Sequence, residues 1–207
     1  MNKSDNGSER NLKVQLMIEA AQKRFGLYGI DKTSMREIAE DLRLSKASLY
    51  YYFPDKESLY KAVVEKEQDD FFTIISEKIL NIQEPELLLL EYVNTRLSYF
   101  RTLLNLSRLK LEFYSDLKPV LRETIGLFKE KEKGIIVNIF ENGMRKGIFS
   151  VEDTDKTASL FLDLLKGLRI SVLNEKKMLV LEQEEYDRLL EKTIAFTKIF
   201  INGLRIK

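Results

Sequence analysis

The chain has 207 residues, 44% of them hydrophobic and 32% charged, and its formal net charge is +1. It contains neither His nor Cys, which excludes imidazole bases, thiolate nucleophiles, disulfides and the usual zinc sites, and points to a reducing cytoplasm. With three prolines and nine glycines there are few helix breakers, so the expected class is all-α.

Residues 1–9 are polar, without an apolar run, and read as a disordered arm rather than a signal peptide or membrane anchor. Val14, Met17, Ile18, Ala21 and Phe25 keep helical spacing, which predicts a first helix from about Arg10 to Leu27, closed by Gly26 or Gly29. Ser34 stands three residues before Glu37, a capping box that starts a second helix carrying Met35, Ile38, Ala39 and Leu42 on one face. Ser45 is an N-cap for a third helix and Asp55, after Pro54, for a fourth. Helices of about two turns do not stand alone in water, so the pair must pack on a base and serve something outside it. A helix-turn-helix that inserts its second helix into DNA meets both needs.

The outward residues of that short helix are Lys46, Ala47, Ser48, Tyr50, Tyr51 and Tyr52. Small residues near the helix start let the backbone approach base edges, and Ser and Tyr hydroxyls bond to phosphate or base. The bland reading is a helical surface that happens to be Tyr-rich. Residues 1–60 hold ten Lys and Arg against nine Asp and Glu, so any cationic face depends on Glu37, Glu40 and Asp41 turning away from it.

From Asp55 a helix runs to about Ile82, long enough to be shared by two cores, and Pro85 ends it. Leu87 to Leu104 is apolar nearly all round, which predicts burial on most sides; Glu91, Asn94, Arg96 and Arg101 interrupt it too often for a membrane span. A short helix over Arg108–Ser115 and a longer one opened by Lys118 and Pro119, closed by Gly147, follow. Tyr92, Tyr99, Phe100, Phe113, Tyr114, Phe128 and Phe140 can line a ligand cavity, although a helical core uses the same residues. Arg96 facing such a cavity would suit an anionic ligand, whereas Arg101, Arg108 and Arg169 read as solvated or paired. The acid pairs Asp153 with Asp155 and Glu184 with Glu185 sit at helix starts and read as dipole partners, not as metal or acid–base sites. The last two helices, from Asp153 and from Glu184, have wide apolar faces carrying Leu164, Gly167, Leu168, Leu189, Thr193, Phe196 and Phe200. They can close the monomer's core or meet the same pair of a second subunit as a four-helix bundle.

The run from Thr33 to Val63 closely resembles the N-terminal domain of TetR-type transcriptional regulators, matching at Thr33, Ser34, Arg36, Ile38, Ala39, Ser45, Ala47, Ser48, Leu49, Tyr50, Tyr52, Phe53 and Lys56. It departs in the turn, where Arg43 replaces the family's usual Gly. The resemblance implies a helix-turn-helix domain over residues 10–54 and an effector and dimerisation domain over 55–207. It also implies DNA contacts by Thr33, Ser34, Arg36, Lys46, Ala47, Ser48, Tyr50, Tyr51, Tyr52 and Lys56. A homodimeric repressor of an inverted-repeat operator in double-stranded DNA, released by a small-molecule effector and needing no cofactor, metal or membrane, is the function implied. The alternative is a helical dimer that binds a ligand or protein without reading an operator.

Overall fold

The computed structural model describes residues 4–102, 111–176 and 182–206, and describes side chains at 7–101, 119, 121–172 and 182–206. Eight helices account for nearly all of the described residues: α1 (Ser4–Tyr28), α2 (Met35–Asp41), α3 (Lys46–Tyr52), α4 (Lys56–Ile79), α5 (Pro85–Thr102), α6 (Leu111–Arg145), α7 (Thr154–Lys176) and α8 (Gln183–Leu204). Among those residues the only β structure is an isolated bridge between Phe149 and Arg205. No described helix is long and apolar enough to cross a membrane.

The chain divides into two units, Met1–Asp69 with Leu103–Thr124, and Asp70–Thr102 with Ile125–Lys207. The division falls inside α4, not at its start, because the first turns of α4 complete the first core. Leu59, Tyr60, Val63 and Val64 are buried there with Met17, Ala21, Phe25, Ile38 and Leu49, and Tyr60 meets Phe25 edge to face at 5.5 Å. Helix α1 starts at Ser4, so the helix continues through residues 4–9, where an unstructured arm was expected. That stretch holds no proline, and Lys13 bonds Glu9 one turn earlier at 2.9 Å. Gly29, at φ +85°, ends α1 and donates to the Phe25 carbonyl; Gly26 lies buried within the helix.

In the second unit, Pro85 is the first residue of α5, where its missing N–H costs nothing. Leu88, Leu89, Tyr92, Val93, Arg96 and Leu97 are buried, while Leu87, Asn94, Ser98 and Arg101 share one exposed stripe, so Asn94 is hydrated and not buried as an all-round apolar helix would require. Helix α6 corrects a boundary: it is continuous from Leu111, with Pro119 inside it instead of at its opening. Pro119 is exposed, and water can take the carbonyl bond that a proline cannot. The helix ends as expected at Gly147, φ +67°, with Ile148 N–H on Gly143 O (2.9 Å) and Gly147 N–H on Met144 O (3.0 Å), the two bonds of a Schellman turn.

The second core gathers Phe71, Leu89, Tyr92, Ile136, Phe140, Phe149, Phe161, Leu189 and Ile201. Gly143 is required there, because a Cβ at that position would fall within the ring of Phe149. This core takes up four residues that the sequence leaves open between core and another role. Tyr92 and Phe140, considered as cavity lining, are fully buried, as are Leu189 and Thr193, considered as dimer interface. Apolar rings at fixed helical spacing fill the interior first, and Thr193 is accommodated because its hydroxyl donates back to Leu189 O at 2.7 Å.

Candidate nucleic-acid interface

The helix-turn-helix is built from local bonds that the sequence specifies. Ser34 Oγ accepts from the Glu37 N–H (3.3 Å) while Glu37 Oε2 accepts from the Ser34 N–H (2.8 Å), so both halves of the capping box are present. Ser45 Oγ accepts from the Ser48 N–H at 3.1 Å, and Asp55 Oδ1 from the Ser58 N–H at 2.6 Å. Between α2 and α3, Arg43 stands at φ +55°, the left-handed position that glycine normally fills. The turn forms all the same, with Leu44 N–H on Ala39 O (2.8 Å) and Arg43 N–H on Glu40 O (3.0 Å).

Helix α3 is anchored by Leu49, which is fully buried, and shows its other side to solvent. Lys46, Ala47, Tyr50 and Tyr51 are exposed, Tyr51 at 74%, while Ser48 and Tyr52 are half-buried. Lys46 Nζ lies 5.3 Å from the centre of the Tyr50 ring and Tyr51 meets Tyr52 edge to face at 5.0 Å, so the phenols are held in place relative to one another. The acids of α2 are occupied: Arg24 donates to both Asp41 oxygens (2.6 and 2.9 Å) and stands 3.3 Å from Glu37, and Arg36 pairs with Glu40 at 2.7 Å. The Asp41 carboxyl is held below its usual range chiefly by the Arg24 hydrogen bond, and the Glu37 carboxyl by the Ser34 backbone and hydroxyl.

Two residues grouped with this surface by sequence face elsewhere. Thr33 is buried and its hydroxyl donates to Gly29 O at 2.8 Å. Lys56 Nζ donates to Ile30 O (2.9 Å) and Thr33 O (3.3 Å), tying the start of α4 to the loop before α2. Two others were missed. Arg10 lies over the Tyr52 ring at 5.9 Å, and with Lys13, Tyr51 and Tyr52 it lines a groove of about 390 Å³ beside α3. The local pattern of α1 does not show this, because Arg10 and Tyr52 are 42 residues apart and only packing brings the first turns of α1 beside α3.

In the second unit the candidate cavity residues separate. Arg96 Nε and the Tyr92 hydroxyl both donate to Glu132 Oε1, each at 2.6 Å, within the core. Burial opposes the charge on Arg96, but Glu132 holds the guanidinium protonated; burial and the same carboxylate push the Tyr92 phenol well above its usual value. Arg96 and Phe128 line a groove of about 290 Å³. Tyr99, Phe100 and Phe128 pack around Phe71 at 5.4 to 5.7 Å. Phe113, Tyr114 and Arg108 lie outside the residues whose side chains are described. Of the interface candidates that remain, Leu164 and Gly167 are exposed, Leu168 is half-buried, and Phe196 and Phe200 pack against Phe161 at 6.0 and 4.9 Å, the first stacked and the second tilted. Among the described residues no group of His, Cys, Asp or Glu could hold a metal ion.

A short helix anchored from behind and presented outward by a capped turn defines a helix-turn-helix DNA-binding protein. Comparison with known proteins agrees. A family model described as bacterial regulatory proteins, tetR family, matches residues 17–63. A transcriptional regulator from Cytophaga hutchinsonii, known from its crystal structure, is 38% identical, with 94% of this chain and 99% of that one covered and a TM-score of 0.82. The uncharacterized helix-turn-helix transcriptional regulator YuxN of Bacillus subtilis is 41% identical over 71 residues, 34% of this chain and 23% of that one, so the chain matches about a quarter of that relative. A protein from Saccharomonospora viridis, solved in complex with choline, shares the fold at 18% identity, covering 95% of this chain and 100% of that one with a TM-score of 0.71. The chain belongs to the TetR family and is a DNA-binding transcriptional regulator, not an enzyme.

Proposed function

We propose that the protein is a homodimeric repressor whose α3 helices read the two halves of an inverted repeat, and that a small molecule held in the second unit releases it. The observation that carries the DNA reading is the outward face of α3, where Lys46, Ala47, Ser48, Tyr50 and Tyr51 are accessible while the acids of α2 are engaged by Arg24 and Arg36. Ser48 and Ala47, in the first turn, are placed for base edges, and the phenols and Lys46 for phosphate. Arg36 and Ser34 flank this face at the start of α2 and contact backbone; Thr33 and Lys56 hold the loop that carries it. Two such helices related by a two-fold axis enter successive major grooves roughly 34–36 Å apart.

The dimer reading rests on α7. Leu160, Leu164 and Ile170 are 55%, 39% and 43% exposed beside exposed Gly167, and Ile199 on α8 is 70% exposed. An apolar stripe with a glycine for close approach suits packing against its own copy. Release follows if the effector binds the DNA-free state more tightly, and α4, one helix with residues in both units, is the element through which it acts. Selection of genomic fragments by the purified protein tests the reading: a recovered short inverted repeat is the expected result. Recovery without sequence preference would favour a ligand- or protein-binding dimer instead.

A further inference from the structure

Around Phe100 the second unit holds more positive than negative charge. The Arg96 guanidinium carbon lies 4.8 Å from the ring centre and that of Arg169 lies 5.4 Å from it. Glu132 pairs with Arg96 at 2.6 Å, but among the described residues no carboxylate lies within ion-pairing distance of Arg169. Arg169 is partly buried, and its guanidinium is held below its usual value by burial first and by the charge of Arg96 second. A partly desolvated cation facing another cation calls for a counter-charge.

The neighbouring groove is shaped to supply one. It is walled on its apolar side by Ile125, Phe128 and Leu162, and its charged lining is Arg96, Lys129, Lys133 and Lys166 against Glu130, Glu132 and Asp163. Lys133 is taken up by Glu130 (2.9 Å) and Asp155 (3.2 Å) and Arg96 by Glu132 (2.6 Å), so the surplus belongs to Lys129 and Lys166, which face Asp163 alone. Lys166 is one helical turn before Arg169 on α7. The volume, about 290 Å³, lies at the small end of ligand pockets, which run from roughly 300 to 1,000 Å³.

We propose that this groove binds a small organic carboxylate, its apolar body lying against Phe128 and Leu162 and its charge balancing Lys129 and Lys166 of the lining together with Arg169, whose neighbour Phe100 packs on Phe128 at 6.2 Å. The proposal rests on the effector reading above and names the chemical class of the effector. A quaternary ammonium ligand is rejected by the same charges, which sets this chain apart from its choline-bound structural relative.

The test uses the full chain and four probes, butyrate, octanoate, benzoate and phenylacetate, each against its own amide, with choline and inorganic phosphate as controls. At least one carboxylate is expected to raise Tm in a concentration-dependent way, while its amide, choline and phosphate do not. Arg169→Gln is expected to weaken that carboxylate by about tenfold or more and to leave the unliganded Tm unchanged or higher, since it removes an unbalanced charge. Lys166→Gln, at an exposed position, gives a smaller loss of the same sign and keeps the test open if Arg169→Gln does not fold. No carboxylate acting above its amide, equal stabilisation by choline or phosphate, or a carboxylate whose affinity neither variant changes would overturn the proposal. Anisotropy of bound operator DNA separates the two readings. A carboxylate that raises Tm without releasing DNA refutes the effector role and leaves the site standing, whereas an amide or choline that releases DNA refutes the carboxylate site and leaves the effector role standing.

Discussion

Arg43 shows how one side chain can be misplaced for stability and still be accommodated. Its φ of +55° crowds the Cβ against the backbone, yet the two turn bonds form around it. Arg43→Gly should therefore stabilise the protein by about 1 kcal/mol, a rise in Tm of roughly 2–4 °C, read by thermal denaturation. Asp41 carries a pH signature. Its folded value lies below the ordinary 3.8 because Arg24 bonds the ionised form, so its contribution is complete above that value and disappears as pH falls through the folded one. Asp41→Asn should flatten the fall in Tm between neutral and strongly acid pH, and an unchanged acid limb would show that the Arg24 contact is too hydrated to matter. For DNA, Lys46→Ala should reduce the slope of log K against log salt by about 1 at unchanged Tm. Lys56→Ala should lower Tm as well, because Lys56 bonds two loop carbonyls. The caps at Ser34, Ser45 and Asp55 were legible in sequence because each partner lies three residues away. The partners of Lys56 lie 23 and 26 residues away, and nothing local announces them.

At the scale of elements, the helices followed from periodicity and their ends from glycine and capping, while prolines were read too strictly. The sequence pattern puts Pro85 at the stop of α4 and Pro119 at the start of a helix, whereas Pro85 is the first residue of α5 and Pro119 lies inside α6. Either position satisfies the ring's fixed φ, and only the path of the neighbouring helices decides between them. Two contacts between elements can be tested by substitution. Gly143→Ala should destabilise by about 1–3 kcal/mol, because the methyl must displace the buried ring of Phe149. Glu132→Ala should cost roughly 3–5 kcal/mol, since it leaves Arg96 charged and unmatched inside the core. Urea denaturation would check both, and a loss under 1 kcal/mol for Glu132→Ala would mean that water reaches Arg96.

For the whole molecule, the test of assembly is Leu164→Glu. Leu164 is 39% exposed, so the change should leave the monomer folded, halve the mass seen by sedimentation and weaken operator binding sharply. A variant that remains dimeric would move the interface away from α7. The same stripe shows where sequence reading reached its limit. It could mark α7 and α8 as apolar but could not divide their residues between the chain's own core and a partner, and Leu189 and Thr193 proved to belong to the core.

The sequence by itself determined the helical class, the capped helix-turn-helix and its outward tyrosines, because these depend on residues within a few positions of one another and on a periodicity of 3.6. Only the tertiary structure decided that Thr33 and Lys56 brace a loop, that Arg10 stands beside α3, and that Arg96 takes Glu132 as its partner while Arg169 has no carboxylate at ion-pairing distance among the described residues. The reason is the same in each case: whether a polar group meets water, a backbone oxygen or another charge depends on which helix is packed across from it, and packing joins residues far apart in the chain.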